Sequence, residues 1–599
     1  MCGIIGYVGF RNARDVLLEG LKRLEYRGYD SAGIGVITSE GLKVFKDKGE
    51  IDLLKESIPK FESDIGIGHT RWATHGRVCK ENAHPHISCD SKFAIVHNGI
   101  IENFQDLKEE LEKKGHRFSS DTDTEVIVHL IEENYKGDLK RAVMKSVKRL
   151  KGSYAILVIS EYEKDKIIGA RKDSPLVIGV GDNENFLASD IPAFLKFTNR
   201  VKYLLDEELC VITRDGVSIF DLSGKEISRE ERRIEWDIKE AEKSGYTHYM
   251  LKEIFEQPHS LAETLRGRIS EIEPFVEIGV EDVGSIERIT IVACGTSYYA
   301  GLAGKYIIER LAEIPVNVEL SSEYRYYGNK NGTVIAVTQS GETADTLAAL
   351  REAKRAGCRT VAIVNVVGSS ATRLADDVIL MRSGPEIGVA ATKTFTSQLL
   401  VLFLLAVKIG IKKGVLDAEK ARRYLAEIKR VPELVREVLE KNDEIRSIAE
   451  WIKDFSSIFF IGRGIGYPIA LEGALKMKEI SYIHAEGFAA GELKHGPFAL
   501  LTKNTPVVAV MINDESYEKI LSNIAEIKSR GSPVVAITEK GDSRVREIAD
   551  TVIEYPETLP MISSIPIAVI LQLLAYHTAE LRGCPIDKPR NLAKSVTVE

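Results

Sequence analysis

Residues 288–301 read RITIVACGTSYYAG and residues 457–470 read SIFFIGRGIGYPIA; each is a short apolar run, a turn of small residues and the opening of a helix. Runs this short, rich in β-branched or aromatic residues and closed by glycine, mark buried strands rather than helix interiors. The correspondence continues downstream. Val334 to Thr338 matches Val507 to Met511, Arg359 to Asn365 matches Pro533 to Thr538, and Asp377 to Met381 matches Thr551 to Tyr555. The offset, roughly 170 residues, is far longer than a solenoid period and indicates a duplicated domain. Strand, small-residue turn and helix in alternation predict two parallel, doubly wound α/β sheets. Ligands of such sheets bind beyond the carboxyl ends of the strands, and a duplicated pair commonly places its site between the halves.

Ahead of this duplication the pattern differs. Roughly the first 225 residues are strand-rich, with β runs at Ile4 to Val8, Gly33 to Ile37, Phe93 to Val96, Tyr154 to Ile159 and Pro175 to Val180, and helices at Arg14 to Leu24 and Thr124 to Tyr135. This predicts an α/β sandwich. From Ser228 to Ser244 the chain turns charged and poor in core residues, so it reads as a linker or exposed helix. Domains are expected over 2–227, 245–425 and 426–587, with a linker at 228–244 and a tail at 588–599.

A chain of 599 residues needs several cores, and 44% hydrophobic with 28% charged residues can build them. The net charge of −8 argues against nucleic acid or an anionic membrane as partner, so any phosphate site must be local. The seven cysteines, Cys2, Cys79, Cys89, Cys210, Cys294, Cys358 and Cys584, are odd in number and lack CxxC pairs. That fits reduced thiols in a cytoplasm better than disulfides or a zinc site. The N-terminus carries no signal-peptide pattern, and the most apolar run, Leu399 to Val407, is too short for a membrane span and reads as a buried helix. A cytoplasmic location is expected.

The chain opens Met1-Cys2-Gly3-Ile4-Ile5-Gly6. Removal of Met1 would leave a thiol and a free α-amine on one residue. The amine titrates at about 7.7 to 8.0 and the thiol at about 8.5, so the amine can take the thiol proton directly or through one water. Five segments set this opening in context: CGIIGYVG from Cys2, LEYRGYDSAGIGV from Leu24, HTRWATHG from His69, HNGIIEN from His97 and DTDTE from Asp121. Together they resemble the N-terminal-nucleophile, class II glutamine amidotransferase domain. The resemblance implies an αββα sandwich in which Cys2 attacks the side-chain amide of L-glutamine. Asn98 and the backbone N–H of Gly99 would stabilise the oxyanion, Arg71 would grip the α-carboxylate and Asp123 the α-ammonium. Arg27, Trp72, Thr74 and His75 lie in the matching motifs as further glutamine-binding residues, Trp72 as a gate. Taken alone, Asn98-Gly99 also signals a type I′ hairpin turn after Phe93 to Val96.

In the duplicated half, TQSGETADT from Thr338 follows an apolar strand and precedes an apolar-periodic helix, and Cys294-Gly295-Thr296-Ser297 repeats the design one strand earlier. Hydroxyls and free backbone N–H groups at a helix N-terminus suit a phosphate. In LEGALKMKEISYIHAEGFAAGELKHGP from Leu471, the residues Glu472, Lys476 and Glu479 share one helix face. Such a stripe is ordinarily a solvated row of ion pairs, but its apolar and glycine-rich flanks predict burial. This half resembles a tandem pair of flavodoxin-like sugar isomerase (SIS) domains. The resemblance implies a sugar-phosphate site formed by Gly295, Thr296, Ser297, Thr338, Gln339, Ser340, Thr343, Val389 and Lys476, with Thr338 standing where a serine is expected. Glu479 would move the proton between C1 and C2, and His495 would open the sugar ring. In the closing DKPRNLAKSVTVE, Lys594 would form a Schiff base and Ala593 would line the site.

Nearly the whole chain thus resembles the isomerizing glutamine:fructose-6-phosphate aminotransferases. That family implies L-glutamine and D-fructose 6-phosphate as substrates, an internal route for ammonia, no metal or organic cofactor, and a homodimer paired through the SIS domains. Three rival readings stay open: another class II amidotransferase, a sugar-phosphate sensor, and a hexose-phosphate isomerase with a degenerate glutaminase. The sugar module weighs against the first, the presence of Glu479, His495 and Lys594 against the second, and the intact motifs around Cys2 against the third.

Overall fold

Alternation along the first strand, Gly3–Val8, sets the layering of the N-terminal part: Ile5 and Tyr7 enter one core, Ile4 and Val8 another. The computed structural model describes residues 2–72, 76–234 and 243–597. In it this strand lies within an eight-stranded antiparallel sheet, ordered Arg232–Arg233, Arg200–Tyr203, Val177–Val180, Asn185–Ala188, Gly3–Val8, Ile65–Arg71, Ser31–Thr38, Gly41–Lys48. A seven-stranded antiparallel sheet shares the core between them; its order is Glu226–Ile227, Val217–Asp221, Glu208–Thr213, Glu163–Lys172, Gly152–Ser160, Phe93–Ile101, His86–Ile87. Helix Ala13–Leu24 covers the outer face of the first sheet, and helices Phe104–Lys113, Glu125–Asn134 and Leu139–Val147 cover that of the second. The product is an αββα sandwich.

Two local expectations change. The strand expected over Phe93 to Val96 runs on to Ile101, paired throughout with Gly152–Ser160, so Asn98-Gly99 lies inside the sheet and not in a hairpin turn. Ladder partners along the whole neighbouring strand override the local turn preference. Arg232–Arg233 pairs with Arg200–Tyr203, so the charged stretch is strand rather than linker at that point. Residues 235–242 lie outside the described residues.

The second compact unit is Glu242–Leu592, while the terminal segment from Ala593 groups with the first. Its two five-stranded sheets have the same order: Val316–Leu320, Ile289–Ala293, Thr333–Thr338, Arg359–Val364, Asp377–Leu380 in one, and His484–Ala489, Ser457–Gly462, Val507–Val510, Val534–Glu539, Thr551–Tyr555 in the other. Every pairing is parallel. The first strand of each half sits between its second and third, which is the doubly wound, flavodoxin-like order that the repeat predicts. The halves share one core, built around helices Gly295–Ala312, Lys393–Lys413, Gly466–Ser481 and Ser564–Leu581. Lys393–Lys413 and Ser564–Leu581 are long and apolar enough to cross a membrane, yet 89% of each apolar window is buried inside the protein. They are core helices, as the Leu399 to Val407 run predicts.

Candidate active site

In the first unit, Cys2 enters the sheet one residue before the Gly3–Thr70 pair, at the strand end where Ile65–Arg71 delivers Arg71. The half-buried Sγ accepts the Trp72 N–H at 3.3 Å. Burial pushes the thiol pKa up, while the Trp72 N–H and the Arg71 charge act to lower it. Asn98 lies beside the nucleophile, its Nδ2 donating to the Cys2 carbonyl at 2.8 Å. Its Oδ1 is 3.1 Å from Nε2 of His69, which also meets the His97 carbonyl at 3.0 Å. Burial lowers the His69 pKa to about 3, so the neutral ring donates from Nε2 and fixes which way the Asn98 amide points. Gly99 follows at φ 136°, and a Cβ there would lie 2.1 Å from the Ser153 carbonyl oxygen. The close neighbouring strand therefore demands glycine.

Asp123, buried just ahead of helix Glu125–Asn134, accepts the Ile101 N–H at 2.8 Å. Arg71 is buried too, its guanidinium donating to the carbonyls of Gly76 and Arg77 at 3.3 and 3.2 Å. Arg27 pairs with Asp190 at 2.7 Å, so part of its charge is matched within the protein. Thr74 and His75 lie outside the described residues. Sequence reasoning missed a layer of four buried histidines beneath these residues. His69, His84, His86 and His97 are all held below the ordinary histidine pKa, by burial first. Thr124 Oγ1 stands 2.9 Å from both His84 Nε2 and His97 Nδ1. Only the histidine density of the segments from His69, His84 and His97 hinted at it.

In the second unit, helix Gly295–Ala312 and helix Ala344–Arg355 begin at the carboxyl ends of two adjacent parallel strands, Ile289–Ala293 and Thr333–Thr338. Neither start has a side-chain cap, and the hydroxyls of Thr296, Ser297 and Thr343 are carried at these two helix N-termini. The Thr338 hydroxyl accepts the Gly341 N–H at 3.2 Å and so holds the turn itself, with Gln339 and Ser340 half-buried upon it. Gly341 has φ 67°, and a Cβ would fall 2.1 Å from Ser369 Oγ. Ser297 Oγ accepts from Gln398 Nε2 at 3.0 Å, and the Val389 N–H donates to the Asp587 carbonyl at 3.2 Å.

The two halves of this unit meet at Thr296, whose Oγ1 donates to Glu472 Oε1 and accepts from Lys476 Nζ, both at 3.1 Å. Lys476 also pairs with Glu479 and lies 3.5 Å from Glu472. Glu472 and Lys476 are only 2% and 1% exposed, so this face is interior and not a solvated stripe. Burial raises the Glu472 pKa to about 8 despite Lys476. Burial alone would lower Lys476, but the Glu479 carboxylate paired with it opposes this and keeps the ammonium charged. Glu472 was not among the expected site residues, and it completes the group. His495 stands exposed at the end of the Ala490–His495 turn, with no hydrogen bond to this group. Ala593 and Lys594, both half-buried, lie in the segment that groups with the first unit.

Comparison with known proteins agrees with this division. A SIS domain model matches residues 285–408 and 452–580, and a glutamine amidotransferase domain model matches 69–196. The chain is 51% identical over 605 residues, all of both chains, to the glutamine–fructose-6-phosphate aminotransferase (isomerizing) of Thermus thermophilus. It belongs to the glutamine–fructose-6-phosphate aminotransferase (isomerizing) family. Aminotransferases of this family from Methanosarcina mazei and Thermotoga maritima are 50% and 49% identical, again over the full length of both chains. Among solved structures, the C-terminal domain of the glucosamine-fructose-6-phosphate aminotransferase from Francisella tularensis is 40% identical, with a TM-score of 0.55. It covers 58% of this chain and 99% of its own.

Proposed function

We propose that this chain moves the amide nitrogen of L-glutamine onto D-fructose 6-phosphate and isomerises the sugar, giving L-glutamate and D-glucosamine 6-phosphate. The observation that carries the sugar step is the buried Glu472–Lys476–Glu479 group held against Thr296, beside two uncapped helix starts suited to a phosphate. Once Met1 is removed, the Cys2 amine takes the thiol proton, and the thiolate adds to the glutamine amide carbon. The developing oxyanion is met by Asn98 and the Gly99 N–H, Arg71 and Asp123 hold the two ends of the amino acid, and collapse expels ammonia and leaves a thioester for water to hydrolyse. At the second site the hydroxyls of Ser297, Ser340 and Thr343 and the side-chain amide of Gln339 hold the sugar phosphate. His495 opens the ring, the Lys594 amine condenses with the carbonyl with loss of water, ammonia then displaces the lysine so that its nitrogen stays on C2 and the Lys594 amine is freed, and Glu479 carries the proton between C1 and C2 while Lys476 holds the sugar oxygens. Ammonia passes internally between the sites, the chain works as a homodimer in the cytoplasm, and the reaction uses no cofactor.

The test is to supply glutamine and fructose 6-phosphate and to follow glutamate and glucosamine 6-phosphate together. Equal yields of both are expected, and Cys2→Ala should abolish glutamate formation while keeping sugar-phosphate binding. Glutamate without amino sugar refutes the reading, and equal loss of both functions in the variant refutes the assignment of the halves.

A further inference from the structure

Outside the two groups of residues described above, four metal-ligating side chains of the first unit converge. Cys89 comes from the turn before strand Phe93–Ile101, His116 from the segment after helix Phe104–Lys113, and His129 with Glu132 from adjacent turns of helix Glu125–Asn134. One donor atom from each lies within 4.8 Å of all the others. Cys89 Sγ is 3.7 Å from His116 Nδ1 and 3.6 Å from His129 Nδ1. Glu132 Oε2 is 3.3 Å from His116 Nδ1 and 3.4 Å from His129 Nδ1.

These lengths have a specific meaning. A tetrahedral zinc ion with Zn–S of about 2.3 Å and Zn–N or Zn–O of about 2.05 Å sets S to N edges of about 3.6 Å and N to O edges of about 3.3 Å. Four of the six edges match these lengths, and all six lie within 4.8 Å.

The surroundings fit as well. Each imidazole has a carboxylate near its other nitrogen: His116 Nε2 lies 3.5 Å from Glu133, and His129 Nε2, buried without a hydrogen bond, stands 3.6 Å from Glu125. Such outer carboxylates fix the ring and raise its basicity toward a metal. Glu125 is itself held by the N–H and hydroxyl groups of Ser119 and Ser120. The Arg117 N–H donates to Cys89 Sγ at 3.3 Å, as it would to a thiolate, and the N–H groups of Cys89 and Asp90 hold Glu132 at 3.1 and 3.0 Å.

We propose that Cys89, His116, His129 and Glu132 bind one structural zinc ion. Four protein donors close the coordination shell, so the ion has no position for substrate. Binding releases the Cys89 thiol proton to solvent, and the exposed side of Cys89 offers the entry path. The ion clips the 88–92 and 114–118 segments to helix Glu125–Asn134, which starts two residues after Asp123. The cysteine spacing that argued against zinc could not show this, since the ligands are separated by 27, 13 and 3 positions with one cysteine among them.

The full-length protein, loaded with zinc and dialysed, should hold about one zinc per chain. Cys89→Ser and His129→Gln should each weaken zinc binding by at least about tenfold, and Cys2→Ala should leave it unchanged. On the unmodified protein, cobalt in place of zinc should give the intense visible bands of a tetrahedral site and a thiolate charge-transfer band. No retained zinc, zinc lost with Cys2→Ala but kept with Cys89→Ser, or an octahedral cobalt spectrum without the thiolate band would each overturn the proposal.

Discussion

Glu472 is a carboxylic acid that its surroundings keep protonated near neutral pH, burial being the main cause and the nearby Glu479 a lesser one. Its pKa is raised to about 8, so the folded protein keeps a proton that the unfolded chain releases above about pH 4.3. Folding stability from this group is therefore largest at low pH, declines between about pH 4.3 and pH 8, and is level beyond. Glu472→Gln removes the titration. Relative to wild type, the variant should gain at most about 5 kcal/mol across that window in denaturant titrations. Parallel profiles for the two proteins would contradict the assignment. Cys2, Asn98 and Asp123 could be proposed as site residues because their motifs are particular; the flanks of Glu472 pointed to burial, but its protonation could not be read, since i, i+4 spacing reports a shared face and not how far the neighbouring charges offset desolvation.

At the level of strands, Gly99 has the sharpest consequence. Its positive φ and the Ser153 carbonyl 2.1 Å from a virtual Cβ mean that Gly99→Ala must displace Phe93–Ile101 from Gly152–Ser160. The expected result is a loss of about 2 kcal/mol or more in the first unit and about a hundredfold or more in glutamine hydrolysis, with sugar-phosphate binding intact. Unchanged glutaminase activity would remove Gly99 from the oxyanion site. The β runs at Ile4, Gly33, Phe93, Tyr154 and Pro175 were readable in the first unit, and the repeat exposed four of the five strands in each parallel sheet but not the edge strands Val316–Leu320 and His484–Ala489. What the sequence hid were pairings between distant segments: the extension of Phe93–Ile101 beyond a turn-forming pair, and the edge strand Arg232–Arg233 inside a charged run. Local propensity cannot report a partner that lies tens of residues away.

On the scale of the whole chain, each hydrophobic cluster lies within one of the two units. Leu402 is fully buried in helix Lys393–Lys413, where it packs against Gly304. Leu402→Asp would bury an unpaired charge, at a cost of about 3 to 5 kcal/mol, and calorimetry should show the transition of the second unit lowered while that of the first stays in place. A uniform shift of both transitions would show that the units unfold as one. The paired sheets of the second unit carry a longer consequence. One copy contributes the hydroxyl-bearing turns around Thr296 and Thr343, the other the helix bearing Glu472, Lys476 and Glu479, and Thr296 bonds across to both Glu472 and Lys476. After duplication the twins divided their labour, and neither remains a spare for the other. On the proposed function, a lesion in either one would silence a centre they own jointly, and the ancestral redundancy, once specialised in this way, could no longer be discarded.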